Sequence, residues 1–199
     1  MGCVMDKLTQ DELWSLEQYA QCRSEFQQEV LNHKQARRLS IGPNVSLLFE
    51  DRITIRYQVQ EMLRVERIFE SQGIVEELAA YNPLIPDGMN WKATMLIQFD
   101  DVEARRIALR NMVGIEQRVW VQVDGFEPVY AIADEDLERS TEEKTSAVHF
   151  LRFELNSKMG QAVASGASLS AGIQHDAYQH TIPTVSSDIV YSLCADLSC

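Results

Sequence analysis

Carboxylates, amides and guanidiniums crowd one stretch, Ile53 to Glu70, which reads ITIRYQVQEMLRVERIFE. Read as a helix at about 100° per residue, it gathers Ile55, Val59, Met62, Leu63, Val65 and Phe69 on one wide apolar arc. Glu66 falls near the middle of that arc, and Gln58 lies between Val65 and Phe69. Tyr57, Glu61, Arg64 and Ile68 form a second, mixed face. A carboxylate in an apolar face needs a partner, or burial raises its pKa. Three roles fit Glu66: an ion pair with Arg37, Arg38 or Arg152 from another element, a place at the edge of the arc in reach of water, or a place in a binding site. In the last case Gln58, Glu61, Arg64 and Glu66 are the candidate ligand-binding residues, able to orient a small polar molecule.

The histidines offer less. His149 stands in AVHFLRFEL, on the strand face of Ala147, Leu151 and Phe153. It reads as a hydrogen-bonded core histidine or, more sharply, as a general acid–base group joining the candidate site, because imidazole titrates near neutrality. Glu25, Glu29 and His33 follow at i+4 steps on one helix face. Glu29 with His33 is a weak alternative for a divalent metal, since the Glu-x-x-His of carboxylate-bridged bundles is absent. His175 and His180 flank a turn without neighbours at ligand spacing. The cysteines, Cys3, Cys22, Cys194 and Cys199, make no CxxC and fit free thiols in a reducing compartment. No Walker loop, GxGxxG, GxSxG or HExxH occurs, and no nucleophile has an obvious base beside it. The sequence therefore implies no metal and no cofactor, and it names no catalytic residue.

A net charge of -12 disfavours nucleic acids and anionic membranes and favours a basic partner surface. No apolar run reaches the roughly 18 residues that span a bilayer, and no signal peptide is seen. The start MGCVMD has Asp6 where a myristoylation signal wants Ser or Thr. A cytoplasmic protein is expected, with self-association left open.

These residues must be held by an ordinary globular core, for which 199 residues with 45% hydrophobic content suffice. Thr9-Gln-Asp-Glu12 is a capping box opening a first helix, and a second runs from about Ser24 to Gln35. Alternating residues on either side of Gly42-Pro43-Asn44 predict a hairpin. The polar helix follows over 51–71, with Gly73 as its stop. The loop NPLIPDGMN, 82–90, is where two lobes would meet. Beyond it come KATMLIQF, a helix capped by Asp100-Asp101, RVWVQV, VYAIA, an acidic helix or loop, and AVHFLRFEL. That order over 91–155 allows a ferredoxin-like βαββαβ unit. The expectation is a single compact α+β domain over 5–199 with a flexible extension at 1–4. It has an antiparallel or mixed sheet of about six strands, a central helix near 51–71 and peripheral helices.

GPNVSLLFEDRITIRYQVQEMLRVERIFE, EELAAYNPLIPDG, NWKATM and STEEKTSAVHFLRFEL resemble the bacterial "domain of unknown function 3501" family over nearly the whole chain. The resemblance carries no activity with it. Its implied context is an iron–sulfur or rubrerythrin-like redox partner. That implies a non-catalytic accessory or adaptor protein of a redox or peroxide-handling system. The residues themselves leave a second reading: a small-molecule-binding enzyme or ligand sensor with a pocket around the 56–67 helix.

Overall fold

The computed structural model describes residues 7–137, 139–141 and 143–198. The expected extension at 1–4, and with it Cys3 and Asp6, lies outside the described residues, as does Cys199.

Helix α1, Leu16–Gln35, is capped by Ser15, whose hydroxyl accepts from the Gln18 amide. Two helices were expected here, but the Thr9 capping box closes only the 3-10 turn Gln10–Glu12, and one continuous helix follows. Strands β1 (Arg38–Ile41) and β2 (Val45–Glu50) form the expected hairpin. Helix α2, Arg52–Glu66, starts where the Asp51 carboxylate accepts from the Ile53 and Thr54 amides. It ends short of Ser71 because Arg67 turns left-handed, at φ 56°, and the Ile68 amide closes onto the Leu63 carbonyl at 2.9 Å. Helix α3, Ser71–Tyr81, therefore begins before Gly73. That glycine is no stop: a Cβ there would meet the Ile68 side chain at 2.7 Å.

Next come β3 (Asn90–Ile97), α4 (Val102–Asn111), β4 (Val119–Val123), β5 (Val129–Tyr130), β6 (Ile132–Ala133) and β7 (Val148–Glu154). The chain finishes with α5 (Ser157–Ala164), β8 (Leu169–His175), β9 (Tyr178–Ile182) and α6 (Ser187–Cys194). The α+β class stands, with the strands divided between two antiparallel sheets. A five-stranded sheet has the order β1-β2-β3-β7-β6, and a four-stranded sheet has β5-β4-β8-β9.

The ferredoxin-like unit does not form. Strand β4 pairs with β5 and β8 rather than joining β3 and β7. The acidic segment after β6 forms no helix among its described residues. The single expected strand VYAIA serves both sheets: Tyr130 pairs with Trp120, and two residues later Ile132 pairs with Arg152. Buried Ala131 is the corner between them.

The main core fills the space between the sheets. Leu47, Phe49, Trp91, Met95 and Phe153 face Val119, Val121, Ala171 and Ile173, and Leu193 of α6 closes the end. The Trp91 indole donates to the Leu193 carbonyl at 3.0 Å. Two smaller clusters lie under the helices, around Ile55, Val59 and Leu63 and around Tyr19, Phe26 and Val30.

One packing detail can be tested directly. Gly172 sits opposite Trp120, and a Cβ at that position would lie 2.5 Å from the indole and 2.9 Å from the His180 carbonyl. Gly172→Ala should lower unfolding free energy in urea by roughly 1–3 kcal/mol, the cost of an overpacked site. An unchanged midpoint would show that the indole moves aside freely.

Candidate functional site

Strand β3 has two faces. Trp91, Ala93, Met95 and Ile97 enter the core, so Lys92, Thr94 and Leu96 must point away from it. Phe150 and Arg152 on β7 do the same, as do Leu48 and Glu50 on β2. Strand register then sets Glu50, Lys92 and Arg152 side by side in one row across the sheet. Helices α2 and α3 stand over this face.

Between helices and sheet run two adjoining cavities. The larger, about 630 Å³, is lined on the helix side by Met62, Ala79, Ala80, Tyr81 and Leu84. Its other wall carries Lys92, Phe150 and Arg152 from the sheet, with Glu135, Asp136 and Arg139 from the loop after β6. The smaller, about 240 Å³, reaches Lys34, Glu50, Thr54, Gln58 and Thr94. Tyr81, Leu84 and Phe150 border both. The combined shape and the mixed lining suit a small organic ligand, for which pockets of roughly 300–1,000 Å³ are usual.

The charged groups are not equivalent. Arg152 is held in a fork by Glu135, with both contacts at 2.8 Å, and is paired also with Glu154. Arg139 grips Asp136 at 2.6 Å and lies over the Phe150 ring at 4.5 Å. No hydrogen bond or ion pair holds the Lys92 amine among the described residues. Burial lowers its pKa below the usual lysine range, and the neighbouring Arg152 cation lowers it further. Glu50 moves the opposite way. Its carboxyl is buried and its pKa raised, chiefly by desolvation, although the Thr54 hydroxyl donates to it at 2.6 Å and the Thr94 hydroxyl donates as well. Burial also raises the pKa of Tyr81, so its phenol stays a donor, and Gln58 is its hydrogen-bonding neighbour.

Of the candidate ligand-binding residues, Gln58, Glu61, Arg64, Glu66 and His149, Gln58 alone lines these cavities. Glu61 and Arg64 face α1, where Glu61 accepts from Tyr19 at 2.7 Å and from Arg23 at 2.8 and 3.0 Å, with Arg64 at 3.0 Å. Glu66 is exposed at the end of α2, as are Val65 and Phe69. The arc that placed Glu66 among apolar residues is real, but α2 is covered only over its first three turns. The arginines expected to pair with it are engaged elsewhere: Arg37 with Asp51 and Asp196, Arg38 with Gln98, Arg152 with Glu135.

His149 lies on the core side of the sheet and is fully buried. Its Nδ1 is 2.6 Å from the Asp134 carboxylate, its Nε2 2.8 Å from the Thr145 hydroxyl, and Glu116 stands at 3.9 Å. It is a hydrogen-bonded core histidine. It anchors Asp134, held at φ 51°, from which the groove-lining loop departs. Glu29 is exposed, while His33 Nε2 lies 2.5 Å from Asp51. Among the described residues no three His, Cys, Asp or Glu side chains are grouped to hold a metal ion. Nor is any described helix long and apolar enough to cross a membrane.

Sequence reading missed Glu50, Tyr81 and Lys92, and considered Arg152 only as a partner for Glu66. The alternation in KATMLIQF does put Lys92 and Thr94 on one face, but the row they join depends on cross-strand register.

Residues 7–197 match the model for the "Protein of unknown function (DUF3501)" family. The chain belongs to that family. A crystal structure of a protein of unknown function from Burkholderia pseudomallei K96243 is 52% identical, with a TM-score of 0.92. The match covers 96% of this chain and all of that one. No curated protein matches. The family thus supplies the fold, and the chemistry must be argued from the groove.

The Glu61 cluster gives a pH test. Ion pairing with Arg23 holds the Glu61 pKa down at about 2, against 4.5 for an unperturbed glutamate. Because the folded value is the lower one, its stabilisation is complete above 4.5 and is lost as pH falls toward 2. Glu61→Gln should cost roughly 1–2 kcal/mol at pH 7, with the gap to wild type narrowing between pH 5 and 2. Urea melts of both proteins across that range check it. A gap that does not vary with pH would leave no role for the ionised carboxylate.

Proposed function

We propose that the protein binds a small organic molecule with an apolar body and one polar end in the groove between α2–α3 and the five-stranded sheet. The observation that carries this reading is half-buried Lys92, with no ion pair among the described residues, lining a cavity of about 630 Å³ whose helix wall includes Met62, Ala79, Ala80 and Leu84. Three basic groups (Lys92, Arg139, Arg152) and three acidic ones (Glu77, Glu135, Asp136) line that cavity. With no net charge, the wall draws neither anions nor cations by its field. Shape, apolar contact and a few hydrogen bonds must select the ligand.

Ala80 is exposed on the groove side of α3, so Ala80→Trp should fill the groove without disturbing the core. Calorimetric titration with small aryl and alkyl alcohols, acids and oxo-compounds, phenyllactate and phenylpyruvate among them, should find a binder to the wild type. Its affinity should fall at least about tenfold in the variant, equivalent to ~1.4 kcal/mol. Equal affinities for both proteins, or no binder across the panel, would count against the groove.

A second reading is an accessory role in the cytoplasm, docking onto an iron–sulfur or rubrerythrin-like redox partner. Its support is the net charge of -12 together with Val65 and Phe69, which are 62% and 73% exposed beside the α2–α3 turn. Co-purification of such a partner at low salt, lost at high salt and weakened several-fold by Phe69→Ser, is the expected result. Recovery of no redox protein at low salt would remove it.

A further inference from the structure

We propose that Lys92 is a nucleophilic amine that forms an imine with an aldehyde or ketone seated in the groove. This inference rests on the groove being a ligand site and assigns the class of compound it takes.

The argument begins with position. Lys92 lies on β3, near the centre of a five-stranded sheet whose pairing fixes the strand on both sides. Lys92 is half-buried and lines the larger cavity. An ordinary structural lysine reaches water or a carboxylate. Here Glu135 and Glu154 are already taken by Arg152, and no ion pair to Lys92 exists among the described residues. Burial first and then the Arg152 guanidinium lower the Lys92 pKa, against the opposing pull of Glu135, Asp87 and Glu154, and so raise the fraction of free amine, the form that attacks a carbonyl.

The step balances without an outside oxidant or reductant. The nitrogen lone pair attacks the carbonyl carbon and a C–N bond forms. The C=O π electrons move to oxygen, which takes a proton. The nitrogen passes one of its protons to that oxygen, its lone pair closes the C=N bond as the C–O bond breaks, and water leaves. Net, the lysine ammonium and a ketone or aldehyde give the protonated imine and one water. Tyr81 borders the same cavity as Lys92, and its phenol, whose pKa burial raises, is the group placed to donate to the departing oxygen.

The full-length protein should be incubated with phenylpyruvate or hexanal and sodium cyanoborohydride, which reduces an imine to a stable secondary amine. Intact mass and peptide mapping then locate the adduct. Lys7, Lys144 and Lys158, none of which lines either cavity, are internal controls. Labelling should be several-fold faster at Lys92 than at any of them, because only Lys92 combines a cavity position with a pKa lowered by burial. Lys92→Met should lose that adduct. Ala80→Trp, at an exposed site, should slow labelling at Lys92 and leave Lys158 unchanged. Equal labelling of all lysines would overturn the assignment. So would calorimetric binding of phenylpyruvate and phenyllactate with no adduct, although the groove would then stand as a binding site. Neither binding nor adduct would remove both.

Discussion

A strand can bury one face only by turning the other away, and β3 makes the rest of this protein follow from that constraint. Its odd-numbered residues, Trp91 through Ile97, are needed to fill the space between two sheets. The even-numbered ones are thereby set on the opposite face. The groove lies between that face and helices α2 and α3. Lys92 is not placed by any local signal of its own. It is where it is because Trp91 and Ala93 must be inside.

The edges of this arrangement are fixed by a buried guanidinium. Arg37 is 1% exposed and donates to the Phe49 carbonyl at 2.8 Å and the Glu50 carbonyl at 3.1 Å, while its ion-pair partners are Asp196 and Asp51. It so joins the end of β2, the cap of α2 and the C-terminal end of α6. Burial pushes the Asp196 carboxyl up to about 6 even with Arg37 against it, so desolvation outweighs the pairing. A pair of this kind contributes little net stability but a definite geometry. Here the geometry is that of the Glu50 backbone, and with it one end of the groove.

The helix that looked most like a site from its residues is mainly a structural bridge. Its Glu61 ties α2 to α1, and its fully buried Gln60 holds the Trp14 backbone, accepting from the amide at 2.7 Å. Its residues that look onto the cavities are Thr54, Ile55, Gln58 and Met62. Glu66 lies beyond the covered turns. A helical wheel reports which residues share a face, not how far along the axis a neighbour extends, and that is why the wheel misplaced it.

Periodicity and caps decided much of the local structure in advance. The hairpin around Gly42, the start of α2 at Asp51, the strands of β3 and β7 and the α+β class were all legible, because each depends on neighbours a few residues apart. The family membership was legible for the same reason, from long contiguous motifs. Tertiary structure alone decided the division into two sheets, the corner at Ala131, the burial of His149 against Asp134 and the row of Glu50, Lys92 and Arg152. Residues 50, 92 and 152 meet only through strand register, which is set by the packing of whole faces against each other, so no spacing within the chain announces it.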